Sequence, residues 1–579
     1  MNNPLIDDRL VDLVLWDVVD AAHLTDLARY ADHSRETFEL YLGSCRRLAR
    51  EVLFPTYRAM DEDPPRLAGG RVTLHPKMRD CYAQLAELGV VAATRPDEVG
   101  GASLPQTIAA LAHAYLMAGN LAPTAMAGLT TGAAHLIEAF GDDELKDRFM
   151  RPMYEGRWTG TMALTEPQAG SSLADITTKA IDAGDGTYRI EGSKIFISGG
   201  DHDAAENVVH LTLARIEGGP PGTRGISLFA VPRLRTENGA LVDNDVEVSG
   251  LIHKIGWRAL PSLALAYGSR GDCHGWLVGA PHRGLPQMFQ MMNEARLMIG
   301  VNAAATASVA YHESLAYARE RTQGRALGDR DATSAPVPLT AHPDVRRMLL
   351  RQKAIVDGSL CLAAVTARYA DEAEHGDDGA RLMLDLLTPV TKSFPAERGY
   401  EANVLALQIH GGYGYSSEYL PEAWLRDQKL NSIHEGTTGI QSLDLLGRKV
   451  VAGGGTALAA FANAVRTDLE RSALDVTPIR TALDRVGGLT AVLGQKGMTG
   501  DLAGMLGHSA DYLELFSIVV IAWMHVKLTN AARGDGDFAR GLVQSAKYWI
   551  ATEVPRVEHL ATLCGTAEPS YLEMQDDWF

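Results

Sequence analysis

Cysteine is scarce in this chain, because only 5 of its 579 residues are cysteine. The five are Cys45, Cys81, Cys273, Cys361 and Cys564, and they form neither a C-x-x-C pair nor a Cys/His zinc pattern. The sequence therefore predicts neither a disulfide framework nor a bound metal. A reducing, cytoplasmic location suits this composition best.

Positive charge is also in deficit, with 54 Lys and Arg against 72 Asp and Glu and a net charge of −18. This balance opposes binding to nucleic acid or to an anionic membrane, and no segment concentrates a basic patch. The start, MNNPLIDDRL, lacks the basic and apolar regions of a signal peptide, so we expect no export. The apolar run at residues 518–524 is far shorter than the roughly 20 residues that span a bilayer. We expect a buried helix there and no membrane insertion.

Two nucleotide-binding fingerprints are missing as well. No G-x-G-x-x-G follows a predicted strand, and no G-x-x-x-x-G-K-[ST] occurs. A Rossmann or P-loop phosphate site is therefore not supported.

The pattern of apolar residues predicts an α+β protein of several domains. Helical periods dominate residues 1–158, where we expect Pro55 to end one helix, Pro76 to start the next and Gly89 to close it. Short alternating runs separated by Gly, Asp and Pro then predict an antiparallel β domain at residues 159–284. Helical spacing returns at residues 285–451, and after a triple-glycine link a helical extension occupies residues 456–579.

The segment of residues 408–448 places a cluster of glycines and, later, the carboxylate of Glu435 between two helical patterns. Gly411, Gly412 and Gly414 break a helix and expose backbone amides, as close approach to a large ligand requires. Glu435 and Gly436 follow about twenty residues later. Taken alone, this second part is explained by a helix start with polar capping.

Five ordered motifs change that interpretation. They are T-E-P-x-A-G-S at 165–171, K-x-F-I-S-x-G at 194–200, R-T-Q-G at 321–324, Q-x-x-G-G-x-G at 408–414 and E-G-T at 435–437. Together they resemble the acyl-CoA dehydrogenase family. The whole chain is similar to the larger bacterial members with an extra C-terminal helical region, which include 3-methylmercaptopropionyl-CoA dehydrogenases. The resemblance implies an N-terminal helical domain, a middle β domain and a C-terminal four-helix-type domain before the extension.

The resemblance also implies FAD as cofactor. By motif position, the β-domain contacts would be Met162, Leu164, Thr165, Gly170, Ser171, Phe196 and Ser198. The contacts across a dimer interface would be Arg321, Gln323, Gln408, Gly411, Gly412 and Thr437. The alternatives are that Thr165 and Ser198 bond only strand backbone and that Arg321 is an exposed helix-end arginine. Gly439 stands where many relatives have glutamine, so one adenosine-side contact is missing or replaced.

For catalysis, the resemblance implies that Glu435 removes the α-proton of an acyl-CoA thioester while hydride leaves the β-carbon. Some relatives carry the base immediately before the residue that corresponds to Arg296. Here that position is Ala295, and Glu294 lies on a different helical face, so Glu435 is favoured. His434 is expected to be a packing or hydrogen-bonding neighbour.

Substrate contacts are implied at Ser171 and Gly436, and at Arg296 and Arg448 for the coenzyme A phosphates, with surface salt bridges as the alternative for the two arginines. Four methionines could line the acyl pocket, although core filling explains them more simply: Met288, Met291, Met292 and Met298.

The implied activity is oxidation of acyl-CoA to trans-2-enoyl-CoA in fatty acid β-oxidation, with electron-transferring flavoprotein as acceptor and a homodimer or dimer-based assembly. An acyl-CoA oxidase that uses oxygen, and a non-catalytic acyl-CoA-binding or DNA-binding relative, remain alternatives. Retention of Glu435 and the acidic charge argue against the second. The preferred acyl chain stays open.

Overall fold

A computed structural model describes residues 3–331 and 333–579, without the side chains of residues 290–293. The chain forms two compact units. The first unit contains Met1–Arg35, Gln106–Ala114 and Arg296–Phe579, and the second contains Glu36–Pro105 and Tyr115–Ala295. Each unit is therefore built from segments that are distant in sequence.

The first 154 residues are mainly helical, as their apolar periods predict. The helices are α1 (Asp8–Leu13), α2 (Arg35–Leu48), α3 (Phe54–Glu62), α4 (Lys77–Glu87), α5 (Gln106–Gly119), α6 (Leu121–Phe140), α7 (Asp143–Leu145) and α8 (Arg151–Tyr154). Pro76 precedes α4, and Gly89 follows its end with a left-handed φ of 75°, as expected. The prediction for Pro55 is wrong. Pro55 lies in the first turn of α3, after a π-helical turn at Ala49–Leu53, and a proline is tolerated in a first turn.

The second unit contains the main sheet. The strands are β1 (Arg66–Ala68), β2 (Arg71–Thr73), β3 (Trp158–Ala163), β4 (Lys179–Asp182), β5 (Tyr188–Ser198), β6 (Asn207–Ile216), β7 (Ile226–Pro232), β8 (Leu234–Glu237), β9 (Ala240–Asp243), β10 (Val246–Leu251), β11 (Ser262–Tyr267) and β12 (His274–Leu277). Eight of them form one sheet in the order β10-β11-β5-β12-β7-β6-β3, with β4 beside β5 and β6. Most pairs are antiparallel as predicted, but β6 is parallel to both β3 and β4. The hairpin of β1 and β2 was not predicted.

Long helices form the core of the first unit. They are α9 (Gly284–Glu320), which belongs to this unit from Arg296 onward, α10 (Pro343–Glu374), α11 (Asp378–His410), α12 (Pro421–Leu430) and α13 (Thr438–Asp444). Helices α9 and α11 approach closely at Gly300, where a Cβ atom would lie 2.0 Å from the Thr391 carbonyl oxygen. Glycine at position 300 is therefore required, because any side chain would push the two helices apart.

The extension adds α14 (Thr456–Glu470), α15 (Thr477–Met498), α16 (Leu502–Leu506), α17 (Ser509–Ala531), α18 (Asp537–Thr552), α19 (Arg556–Thr566) and α20 (Ser570–Glu573). The stretch Leu502–Ala531 is long and apolar enough to cross a membrane, but 83% of its most apolar window is buried inside the protein. The Trp549 indole packs edge-on against Phe394 of α11 and donates a hydrogen bond to the Ile518 carbonyl. The prediction of a buried helix at residues 518–524 is confirmed.

Candidate active site

Glu435 lies in the turn between α12 and α13, within the first unit. Its φ of 55° places it in the left-handed region, which is strained for a residue with a side chain. Gly436 follows with a φ of 86°, and a Cβ atom there would lie 2.6 Å from the Gln441 side-chain nitrogen. Thr437 then caps α13 by accepting a hydrogen bond from the Ile440 N–H at 3.3 Å. The sequence E-G-T therefore fixes one geometry for the turn.

The turn holds its carboxylate in a mixed electrostatic environment. Glu435 is half-buried, and desolvation raises its pKa, while the nearby cations Lys392 and Arg296 oppose that rise. Burial lowers the pKa of His434 to about 4, and its Nδ1–H donates to the Leu430 carbonyl at 2.8 Å. His434 is therefore neutral and hydrogen-bonded to backbone at neutral pH, which matches the expected neighbour role.

Lys392 was not identified from the sequence. It lies on α11 with 0% of its surface exposed, and burial lowers its pKa to about 8. Among the described residues its Nζ has no hydrogen-bond partner. The available signal was a lone lysine on a helical face that it shares with Pro389, Pro395 and Ala396.

Arg296 and Arg448 converge on one carboxylate. The buried Arg296 guanidinium lies 3.2 Å from an Asp444 oxygen, and the Arg448 Nε donates to the other oxygen at 2.6 Å. The Arg448 side chain is 70% exposed. Binding of phosphate by either arginine would therefore compete with an existing ion pair.

The alternative carboxylate, Glu294, belongs to the second unit. Its side chain lies 3.1 Å from Nδ1 of His135 and is therefore already partnered. Met288 is buried and Met298 is half-buried. The side chains of Met291 and Met292 lie outside the described residues.

The R-T-Q-G and glycine motifs meet at a cavity of about 530 Å³ in the first unit. Arg321, Gln323, Gly411 and Gly412 line it, together with His410 and Tyr317. Gly411 has a φ of 61° and a ψ of −133°, and a Cβ atom at Gly411 or Gly412 would meet no atom within 4 Å. The exposed Gln408 side chain lies outside this lining. Among the residues that the structure describes, no carboxylate pairs with Arg321, so its charge is available to a ligand.

In the second unit, Glu166 fixes the T-E-P segment. Its carboxylate accepts hydrogen bonds from Lys194 at 2.8 Å and from the hydroxyls of Thr177 and Thr178 at 2.8 and 2.6 Å. Lys194 also donates to the Leu164 carbonyl at 3.1 Å. The pKa of Glu166 falls to about 2 and that of Lys194 to about 8. Sequence reasoning missed this pair, although period two places Lys194 on the buried face of β5 with Ile190.

A bulge in β5 turns Phe196 outward. The pairing of β11 with β5 shifts between Leu263 and Leu265, so that Ile195 and Phe196 lie opposite one residue. Phe196 has a φ of 62° and is 61% exposed. The other predicted β-domain contacts belong to the same unit: Met162 is buried near the end of β3, Leu164, Thr165 and Ser198 are half-buried, and Gly170 and Ser171 are exposed.

Four protein-family models match consecutive parts of the chain. "Acyl-CoA dehydrogenase, N-terminal domain" matches residues 35–157, the "middle domain" 161–267, the "C-terminal domain" 282–450, and "Acetyl-CoA dehydrogenase C-terminal like" 457–575. The chain belongs to the acyl-CoA dehydrogenase family. It is an oxidoreductase.

Two curated relatives span most of this acyl-CoA dehydrogenase. A 3-methylmercaptopropionyl-CoA dehydrogenase of Ruegeria pomeroyi is 39% identical over 78% of the chain and 76% of the relative. The broad-specificity linear acyl-CoA dehydrogenase FadE5 of Mycobacterium tuberculosis is 32% identical over 98% of each protein. The second alignment includes the extension.

Solved structures agree on the fold. Caenorhabditis elegans ACDH-11, crystallised with C11-CoA, superposes with a TM-score of 0.77 at 21% identity, covering 100% of this chain and 96% of that one. A Bacillus anthracis acyl-CoA dehydrogenase crystallised with FAD gives a TM-score of 0.73 at 19% identity, covering 96% and 91%. At these identities the likeness establishes architecture alone.

Proposed function

We propose that this acyl-CoA dehydrogenase converts an acyl-CoA thioester to a trans-2-enoyl-CoA with FAD as cofactor and Glu435 as base. The observation that carries the proposal is the E-G-T turn, in which a half-buried carboxylate is held in a left-handed conformation beside two cations. Strained backbone of this kind persists where the surrounding contacts enforce it, and it clusters at active sites.

The residues present fit FAD in each unit taken separately. In the first, the cavity offers the guanidinium of Arg321, which pairs with no described carboxylate, and open backbone at Gly411 and Gly412, and these groups suit a diphosphate. In the second, Glu166 and Lys194 hold the T-E-P segment in place, and the bulge exposes Phe196. When bound, the flavin would supply the hydride acceptor for the β-carbon.

Glu435 would take the proton from the α-carbon of the thioester. Because burial raises the pKa of the Glu435 carboxyl, its acidity comes closer to that of the substrate, and this assists proton transfer. Among the described residues, none donates a hydrogen bond to the Glu435 carboxylate, and none accepts one from its backbone N–H. That N–H could therefore donate to the thioester carbonyl and stabilise the developing enolate.

The remaining substrate contacts are proposed at Ser171, Gly436, Arg296 and Arg448. Arg448 is the better candidate for a coenzyme A phosphate, because it is exposed and Arg296 can keep the Asp444 ion pair without it. The named relatives are dehydrogenases, which does not favour the oxidase alternative.

We further propose a homodimer, since the cavity with Arg321 and the exposed Phe196 would complete one cofactor site across two copies. A cytoplasmic location and transfer of electrons to electron-transferring flavoprotein complete the proposal. A monomer in sedimentation that retains full flavin would contradict the dimer.

The test of the chemistry is Glu435→Gln. We expect a folded, yellow protein that binds acyl-CoA, because glutamine keeps the size and polarity of the side chain. Anaerobic loss of flavin absorbance after mixing with acyl-CoA should be about 10³-fold slower, because glutamine cannot accept the proton. A near-normal rate would remove Glu435 as the base. A panel of linear, branched and methylthio acyl-CoA thioesters would identify the substrate with the wild-type enzyme.

A further inference from the structure

The buried ammonium of Lys392 has no evident structural purpose. Its surface is 0% exposed, and its Nζ has no hydrogen-bond partner among the residues that the structure describes. Burial of an unpaired charge is strongly unfavourable, so such a group persists only where something compensates it. Its position is fixed by the close packing of Gly300 on the neighbouring Thr391.

The charged and titratable groups within electrostatic range of Lys392 come from three elements. They are Glu397 on α11 itself, Arg296 on α9, and His434 and Glu435 on the turn before α13. Three of the four have other partners. Glu397 accepts a hydrogen bond from the Thr438 hydroxyl at 2.5 Å, Arg296 pairs with Asp444, and His434 is neutral.

Glu435 is the remaining member of this set. Its carboxylate receives no hydrogen bond from any described residue, and the Lys392 ammonium likewise donates none to a described residue. Lys392 and Glu435 therefore lie within electrostatic range of each other, and neither charge has a hydrogen-bonded partner among the described residues. A direct ion pair would occupy the carboxylate lone pairs that a base needs, whereas a nearby unbonded cation leaves them free.

We propose that Lys392 is a positioning residue that keeps Glu435 ionised while the site dehydrates it. Lys392 acts through Glu435 and touches neither substrate nor cofactor. This role rests on the proposed function of Glu435 as the base. A carboxylate in a partly apolar site tends to take up a proton, and a fixed positive charge is what opposes that tendency.

The test is Lys392→Met, which keeps an unbranched side chain one atom shorter and removes its charge. The acid limb of the pH profile of kcat/KM should move to higher pH by roughly one unit, the scale of one nearby partly screened charge. Activity should return towards the wild-type value as pH rises above the new limb. Damage to the fold alone would lower activity equally at every pH.

A second measurement does not depend on turnover. Infrared difference spectra of the substrate-free protein would follow the protonated carboxyl band of Glu435, assigned by its loss in Glu435→Gln. We expect the pH midpoint of this band to rise in Lys392→Met. Lys392→Gln, which retains a polar end, gives the same test if the methionine variant does not fold.

Lys353→Met is the matched control, because Lys353 is another lysine of the first unit and its Nζ pairs with Asp357 at 2.7 Å. Its acid limb and band midpoint should remain at wild-type values. An unchanged limb and midpoint in the Lys392 variants would overturn the proposal. If Glu435→Gln reduced its flavin normally, the base assignment itself would fail, which is a separate and distinguishable result.

Discussion

Two lysines are fully buried among the described residues, one in each compact unit, and they differ in how their charge is satisfied. Lys194 in the second unit donates to Glu166 at 2.8 Å and to the Leu164 carbonyl at 3.1 Å. Lys392 in the first unit donates to none of the described residues. Burial lowers the pKa of each to about 8.

This difference separates a structural charge from a functional one. Glu166 joins Lys194 to the hydroxyls of Thr177 and Thr178, so the Lys194 network ties a loop to a strand. A satisfied network of this kind makes one local conformation strongly preferred. Lys392 forms no such network among the described residues, and we propose that its charge acts only through its electrostatic field at Glu435. Removal of the charge should therefore destabilise the protein strongly at Lys194 and little at Lys392.

The largest effect is expected when Lys392 is no longer buried. Helix α11 is covered by the extension, where Trp549 packs on Phe394 and Arg398 pairs with Glu514. Deleting residues 456–579 should leave an insoluble protein, because this apolar surface would face water. Removing only residues 576–579, whose Trp578 and Phe579 are exposed, is the control and should have no effect. A soluble, fully active deletion protein in size-exclusion chromatography and assay would contradict the expectation.

Replacing Lys194 by methionine should have the next largest effect. The Glu166 carboxylate would stay buried without its cation, and breaking a buried pair costs roughly 3–5 kcal/mol of unfolding free energy. Urea denaturation measures this loss, and flavin content should fall with it because the T-E-P segment loosens. Lys179→Met, at an exposed lysine of β4, is the control. Equal stability of the two variants would mean that the Lys194 network is not structural.

The same pair predicts how stability depends on pH. The folded-state pKa of Glu166 is about 2, against 4.5 for an unperturbed glutamate, so its contribution is complete above pH 4.5 and is lost as pH falls through 2. The free energy of unfolding of the wild-type protein should therefore exceed that of Glu166→Gln by roughly 3 kcal/mol at pH 6. The difference should become smaller as the pH falls to 3. Denaturation curves across this range give the difference. Exposed Glu191→Gln should show no such trend, and a constant difference for Glu166→Gln would disprove the linkage.

Much of this architecture could be predicted from local sequence. Pro76 and Gly89 mark the ends of α4, and the run at residues 518–524 indicates a buried helix, because each signal acts over a few neighbouring residues. The parallel pairing of β6, the hairpin of β1 and β2 and the continuation past Pro55 were not predicted. They depend on partners distant in sequence or on a π-helical turn that no local pattern marks.

The candidate site likewise contains residues that the sequence predicted and features that it did not. The resemblance of the ordered motifs to the family implied Arg321, Gln323, Gly411 and Gly412 as cofactor contacts, and the fold brings these residues to one cavity. The convergence of Arg296 and Arg448 on Asp444 requires α9 to meet α13, and the exposure of Phe196 requires a bulge opposite β11. Lys194 and Lys392 were missed because a charged residue on an apolar face has no interpretation until its partners are known.

The smallest expected effect is the stability change in Lys392→Met. Methionine loses no hydrogen bond at this position and removes a desolvated charge, and this gain offsets the lost attraction to Glu435 and Glu397. Replacement of a poorly satisfied buried charge by an apolar side chain is commonly neutral or stabilising, so we expect a change within about 1 kcal/mol in either direction. Urea denaturation at pH 7, run beside Lys194→Met, measures the contrast. A loss as large as that of Lys194→Met would show that Lys392 supports the fold, although no described residue hydrogen-bonds to its ammonium.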